Sequence, residues 1–417
     1  MCARSRLSAR KGHEAGVKPA IAIVGAGPAG LFAAETAVKA GARVTLYDRM
    51  RLPGRKFLLA GRGGLNLTHS EDIETFIARY REGGRELAPF IRAFSPQDLR
   101  AWADNLGADT FIGTSERVFP KAMKASPLLR AWLMRLDQLQ VARISEATLI
   151  DLTASGGVLA RAGQREEMTP HAIILALGGA SWPELGADGA WQNMMRARGV
   201  DITPLSPSNA GVLIDWPAPV RALAGAPMKL IEARVGAARF RGEAMLSENG
   251  LEGGAIYAAN AAIRAALHEG ACDLHLDLQP NRTEADIVER LKARDPRRTL
   301  GPWLESKLGL SKASARMVAT LTQARDAEAL AAAIKGLSLR VRGFAPIARA
   351  ISSAGGIAWR SVNQNLSLKA APHVFVCGEM LDWDAPTGGY LLQACFSTAR
   401  HAALGAFAYA CARAKDA

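Results

Sequence analysis

The sequence offers little to a metal ion or a disulfide. Its five cysteines, Cys2, Cys272, Cys377, Cys395 and Cys411, form no CxxC pair, and its seven histidines fall in neither an HxxxH nor an HExxH pattern. No metal centre is expected on that spacing, and thiols scattered in this way suit a reducing cytoplasm. No stretch supplies the roughly 20 uninterrupted apolar residues needed to cross a bilayer, so no membrane partner is expected. The opening residues carry Arg4, Arg6, Arg10, Lys11 and Lys18 with no apolar run behind them. Residues 1–18 therefore read as a disordered basic tail rather than a secretory signal. Blocks of like charge are also missing. The net charge of +13 is mostly arginine spread along helix-like segments, which makes nucleic acid an unlikely partner and fits attraction of small anionic ligands.

Glycine is present in quantity, 40 residues in 417, and it is gathered at particular places. The apolar run Ile21 to Val24 leads straight into Gly25-Ala26-Gly27-Pro28-Ala29-Gly30, an Ala-rich helical stretch follows, and a second β-branched run ends in Asp48 and Arg49. In this pattern the first glycine permits a tight turn, the second lets backbone approach a pyrophosphate, and the third lets helix and strand pack closely. The helix that begins there directs unpaired N–H groups and its positive dipole end at phosphate. Asp48 follows Gly30 by 18 residues, where a carboxylate can accept from a ribose hydroxyl and repel a 2′-phosphate. A dinucleotide, FAD or NAD, is expected here.

The apolar-run-then-glycine pattern recurs twice. Ala172 to Leu177 ends in Gly178-Gly179, and His373 to Cys377 ends in Gly378-Glu379, followed by an acidic loop and Thr387-Gly388-Gly389-Tyr390-Leu391 at the start of a helix. Continuous apolar strands of this kind belong to a parallel sheet covered on both faces. A long C-terminal return to such a sheet favours FAD, whose ribityl chain and isoalloxazine extend toward later strand ends. Glu379 can bond ribityl hydroxyls, and the N–H groups at Gly388-Gly389 can serve the flavin pyrimidine oxygen and the anion formed there on reduction. A further basic loop brings Arg55, Lys56 and Arg62 around Gly61, Gly63 and Gly64, with Leu65 and Asn66 after it. Without a CxxC, the disulfide-reductase branch of flavoenzymes is excluded.

Between these clusters the composition changes. Residues 205–280 read as strands and turns, and residues 281–345 as helices, with Thr283 and Ser311 as candidate caps. The fold class expected is α/β: a discontinuous FAD-binding Rossmann-like domain with a parallel sheet, from 19–204 and 346–417, and an inserted substrate-side domain over 205–345.

These motifs resemble the YhiN/BaiN-like family of FAD-binding oxidoreductases, also called the BaiN/RdsA or aminoacetone oxidase family, from about Ile21 to Ala402. Family forms GRKFL-S-GGGRCN-T, LATGG, GLSGPA and GE-LD-D-TGGYN-Q correspond to residues 54–68, 175–179, 250–255 and 378–393. Two departures stand out: Leu65 replaces a cysteine and Leu391 an asparagine, which alters polar groups close to the flavin. The resemblance implies non-covalent FAD, an inserted β-barrel-like domain and a helical subdomain.

The expected activity is an NAD(P)/FAD-dependent oxidoreductase acting on a small molecule, with NAD(P)H as a transient donor, and the family resemblance favours reduction of an enone-type C=C. Amine oxidation with O₂ and flavin-dependent RNA modification are the alternatives, and a purely NAD-dependent dehydrogenase would leave the C-terminal glycines unexplained. The cofactor would carry the chemistry, so few side chains stand out as catalytic. Asp382 and Tyr390 are the candidates for proton transfer, Gly253-Gly254 for an anion or substrate clamp, and Trp182, Trp191, Trp216 and Trp359 for an apolar pocket.

Overall fold

The computed structural model describes residues 18–61, 63–292 and 298–415, so only Lys18 of the expected basic tail is among them. The apolar runs form the centre of a six-stranded sheet. Ala20–Val24 lies between Ala172–Leu175 and Arg43–Tyr47, parallel to both, with Ile21 opposite Ala172 on one side and Val44 on the other. Ala371–Val376 continues the parallel order beyond Ala172–Leu175, and Ala142–Ile144 beyond Arg43–Tyr47. Ser367–Leu368 adds an antiparallel edge. The chain thus leaves the first strand in one direction and returns on its other side. That reversal opens a crevice at the carboxyl ends of the strands, where ligands of such sheets bind.

Helix Pro28–Ala40 starts at Gly27 with proline in its first turn and stops at Gly41, whose N–H caps the carbonyls of Ala37 and Val38. It is rich in alanine because it packs closely against the 24-residue helix Tyr390–Arg413. Ala33, Ala34 and Ala37 meet a helix with its own small face of Ala399, Ala402, Ala403 and Ala406, and all are fully buried. Where a crossover helix would be expected, before Ala172–Leu175, the chain makes an antiparallel meander of Ala147–Leu152, Gly157–Arg161 and Gln164–Met168. It gives Leu152, Leu159 and Met168 to the same core. The sequence reading, which followed apolar runs, had no strands here.

A two-stranded antiparallel ribbon, Ile202–Ser208 with Ser352–Ile357, carries the chain out of this core and back. Beyond it lies a second, separate core from Val212 to Val341. Its sheet is entirely antiparallel and built on the hairpin Pro227–Val235 and Ala238–Ser247. The strands at its two ends, Leu337–Val341 and Gly343–Phe344, are separated only by Arg342, one pairing with Cys272–Asp277 and the other with Val212–Leu213. A single bent segment therefore joins both edges, and the sheet curls into a barrel-like form. Four helices, Glu284–Leu291, Leu300–Leu308, Lys312–Leu321 and Ala327–Lys335, fill the same core. Thr283 and Asp286 form a reciprocal capping box, and Ser311 and Asp326 cap the later helices. Among the described residues no helix is long and apolar enough to cross a membrane.

Candidate functional site

A cavity of about 420 Å³ opens at the carboxyl ends of the parallel strands. Its floor is the first glycine turn. Gly25 holds φ +104°, and a side chain there would strike the Ala176 carbonyl of the neighbouring strand; the position a Cβ would take at Gly30 is 1.7 Å from the Gly25 oxygen. Strand and helix can therefore touch only through glycine. Gly27 differs: it lines the cavity, and nothing lies within 4 Å of where its Cβ would be. Bare backbone at this point faces open space, which fits the close approach of a phosphate.

Three helices begin at this cavity, and none has a side-chain cap: Pro28–Ala40, Arg55–Ala60 and Tyr390–Arg413. Pro28 and Ala29 line it from the first, Arg55, Lys56, Phe57, Leu59 and Ala60 from the second, and Leu391 and Leu392 from the third. The uncapped first turns leave backbone N–H groups without intrahelical acceptors, and the three dipoles add positive potential.

Asp48 lies at the tip of its strand. Its Oδ2 accepts from the Ala26 N–H at 2.5 Å and its Oδ1 from the Met50 N–H at 2.6 Å, which fixes the carboxylate at the cavity wall with lone pairs to spare. Burial pushes its pKa up, partly opposed by these two N–H groups. Arg49 also lines the wall, paired with Asp188 at 2.5 Å. Across the cavity Glu379 is held by Lys56, whose Nζ is 3.0 Å from Oε2 and 3.0 Å from Ser181 Oγ, and by the Ser353 N–H. Gly378 meets the first turn directly: its Cβ position is 2.9 Å from the Ala29 methyl. Burial keeps both nearby thiols protonated, raising Cys377 to about 12 and Cys395 further still.

The remaining residues named from sequence fall around this cavity in distinct ways. Gly178 lines it, while Gly179 is pressed against Ser353. Gly61 and Gly64 pack against Ala125 and Met123, Gly63 is open on its Cβ side, and Leu65 is fully buried. Asn66 lies beside Gly389, with a buried Oδ1 that has no partner. Arg62 is outside the described residues. Thr387, Gly388 and Gly389 lead into the third helix, and Gly388 and Gly389 both have positive φ. Tyr390 turns away from the cavity; its hydroxyl donates to Glu71, and burial and that carboxylate raise its pKa. Asp382 accepts from the Thr203 hydroxyl at 2.5 Å and its pKa is raised by burial. Neither proton-transfer candidate lines the cavity. Gly253-Gly254 opens a helix of five residues in the inserted barrel, where a side chain at Gly253 would meet the Ala244 and Glu243 backbone.

Of the four tryptophans only Trp182 reaches the cavity. Trp191, Trp359 and Trp216 donate to the carbonyls of Gly178, Asp382 and Gly250. Trp182 has φ +56°, and the Arg349 guanidinium lies 5.0 Å from its ring centre. Sequence reasoning missed the apolar rim of Met50, Leu52, Leu185 and Ile351. The Trp-Pro turn after Gly179 was the available signal for Leu185. Ile351 had none, because it arrives just before the return strand of the ribbon.

The model of the HI0933-like protein Rossmann domain matches residues 19–405. Over 411 residues the chain is 25% identical to the 3-dehydro-bile acid delta(4,6)-reductase of Clostridium scindens, covering 91% of this chain and 96% of that protein. It is 22% identical over 410 residues to the ribosomal RNA dihydrouridine synthase of Escherichia coli, with 90% and 95% covered. Among solved structures, the open conformation of a flavocytochrome c3 fumarate reductase shares the fold with a TM-score of 0.53 at 16% identity, over 94% of this chain and 78% of that one. With its motifs, its sheet and this match over nearly its whole length, the chain belongs to the HI0933-like Rossmann family, the YhiN/BaiN family of flavoproteins that its glycine clusters resemble.

Proposed function

We propose that this protein is a flavin-dependent reductase that binds FAD without a covalent link and saturates a C=C bond conjugated to a carbonyl in a small organic substrate, with NAD(P)H as the electron donor. The observation that carries the reading is the convergence of three uncapped helix N-termini and the Gly27 backbone, open on its Cβ side, on one cavity that also holds the Asp48 carboxylate. Gly27 and the first turn of Pro28–Ala40 bind the pyrophosphate, and Asp48 accepts from the adenosine ribose. Lys56 and Ser353 orient Glu379 toward the ribityl hydroxyls. Gly388 and Gly389 present backbone N–H groups to the pyrimidine end of the ring. The bound flavin supplies two-electron transfer through N5; the protein supplies position, charge and the exclusion of water.

The choice of a conjugated C=C is supported by the names of two relatives, a bile acid delta(4,6)-reductase and a dihydrouridine synthase. Dihydrouridine is uridine with its C5=C6 bond saturated, and that bond is conjugated to a carbonyl as an enone is. The second name alone also supports a second reading, in which the unsaturated ring is a base in RNA. Asp382 and Tyr390, the two proton-transfer candidates, lie outside the cavity lining, and both readings leave the chemistry to the cofactor.

Anaerobic mixing of the yellow protein with NADH and then NADPH tests the donor by bleaching of the flavin bands. A panel of enones, quinones and amines then tests the acceptor. Bleaching by amines and by neither nicotinamide would replace the reductase reading with an oxidase. Retention on ribosomal RNA that falls steeply with salt, together with reoxidation by RNA and not by free enones, would favour the second reading.

A further inference from the structure

We propose that Arg117 is the counter-charge for the reduced flavin, an inference that rests on FAD occupying the cavity as proposed above. Neither the glycine clusters nor the family motifs point to this residue. It is placed by a chain of contacts that begins at the third helix. A side chain at Gly389 would lie 2.5 Å from Thr68 Cα, so strand Thr68–His69 is pressed directly on the helix N-terminus. The Thr68 hydroxyl, 2.8 Å from Gln393 Oε1, ties the two together. Strand Arg117–Phe119 pairs antiparallel with Thr68–His69, with Arg117 opposite His69. As a result Arg117 Nε is 3.9 Å from where a Cβ at Gly388 would be.

Two features make this a place for negative charge. The N-terminus of Tyr390–Arg413 is uncapped, and its dipole adds to the guanidinium rather than opposing it. Among the described residues no carboxylate lies within 4.0 Å of Arg117, whereas Arg79 is paired with Glu71 at 3.1 Å. Arg117 is exposed and its charge is solvated by water, so it stands unneutralised beside the helix N-terminus and attracts negative charge that arrives next to both.

Reduction supplies that charge. Two electrons and one proton, a hydride equivalent taken from a nicotinamide or from dithionite and water, leave one additional negative charge in the pyrimidine half of the ring at neutral pH. Arg117 and the helix N-terminus therefore favour the reduced over the oxidised cofactor, and so raise its midpoint potential. Arg117 acts on the equilibrium and not as a proton donor.

The test is a dye-linked redox titration of the FAD-loaded protein, with sulfite binding as an independent readout, because sulfite adds to N5 and places the same charge on the ring. Arg117→Gln should lower the reduced-to-oxidised ratio about ten- to hundredfold, or about 30–60 mV for two electrons, and weaken sulfite binding by a similar factor. Arg117→Lys should retain most of both. Arg117→Gln protein that holds FAD with unchanged potential and unchanged sulfite affinity overturns the proposal. If that variant retains FAD poorly, affinities for oxidised and dithionite-reduced FAD decide: a larger loss for the reduced form supports it, and equal losses overturn it. Wild-type protein that binds no FAD at all would instead remove the flavin assignment.

Discussion

Gly27 and Gly30 stand three residues apart in the same turn, yet the structure assigns them opposite sensitivities to one added methyl group. Gly27 has φ −77° and ψ −176°, ordinary extended backbone, and its Cβ position meets nothing within 4 Å. Gly27→Ala should therefore leave the apoprotein as stable as wild type, or stabilise it by about 0.4–1 kcal/mol through a less flexible unfolded chain. The methyl group would instead occupy the space over the backbone where phosphate oxygens approach. Losing one charge-assisted hydrogen bond there costs about 1.5–3 kcal/mol, so FAD affinity should fall about ten- to hundredfold. Gly30→Ala places its methyl carbon 1.7 Å from the Gly25 oxygen and 3.3 Å from the Ala176 Cβ. Backbone must move, at a cost of at least about 1–3 kcal/mol in the apoprotein itself. Thermal denaturation of both apoproteins, with FAD titrations followed by fluorescence quenching, separates the two effects. Unchanged FAD affinity in Gly27→Ala would refute the placement of the phosphates, and a Gly30→Ala protein with wild-type stability would refute the close approach of helix to strand.

Three further outcomes follow from charged groups, two of them at the cavity and one outside its lining. Burial raises the pKa of Asp48 above 3.8 in the folded apoprotein, so its contribution to stability is fully present below that unfolded value and is lost as pH rises through the folded one. The stability of wild type relative to Asp48→Asn should accordingly fall as pH rises above about 4, and a difference that stays flat across that window in denaturant titrations would contradict the burial argument. Lys56 and Glu379 are 3.0 Å apart with side chains 21% and 8% exposed; Glu379→Leu should cost about 1–3 kcal/mol, less than a fully buried pair because Lys56 is partly solvated. Lys56→Met combined with Glu379→Leu should recover more than half of the lost melting temperature, and simple addition of two losses would show the pair to be uncoupled. Asp384 is fully buried, accepts from Ser208 and faces Arg81 at 3.4 Å and Arg264 at 3.2 Å, so Asp384→Asn should destabilise by about 3 kcal/mol. The flavin spectrum should be unchanged, and a loss under about 1 kcal/mol in urea would mean that neither arginine depends on the carboxylate.

How legible the site was in the sequence depended on whether backbone or side chains built it. The first glycine turn, its helix and Asp48 lie within 30 residues, and each is dictated by local requirements: a positive φ, a close approach, a strand tip. The same holds for the capping box at Thr283 and the cap at Ser311. The choice of side-chain partners was not local. Lys56 and Glu379 are 323 positions apart, and Tyr390 and Glu71 are 319. Nothing near Tyr390 in the sequence says that its hydroxyl turns inward to Glu71 while Leu391, one position later on the same helix, faces the cavity. The acidic loop was visible, but its sequence does not reveal that Thr203 occupies Asp382 and two distant arginines occupy Asp384. The meander at 147–168 escaped for a different reason. Its last strand, Gln-Arg-Glu-Glu-Met, is exposed over its first four residues, so it lacks the apolar run that identified the buried strands. Arg117 combines both obstacles, because it is the exposed residue of a three-residue strand and only pairing with Thr68–His69 brings it to Gly388. The glycines mark where a cofactor can lie close to the chain. Glu379 and Arg117 reach these places from segments that folding alone brings there.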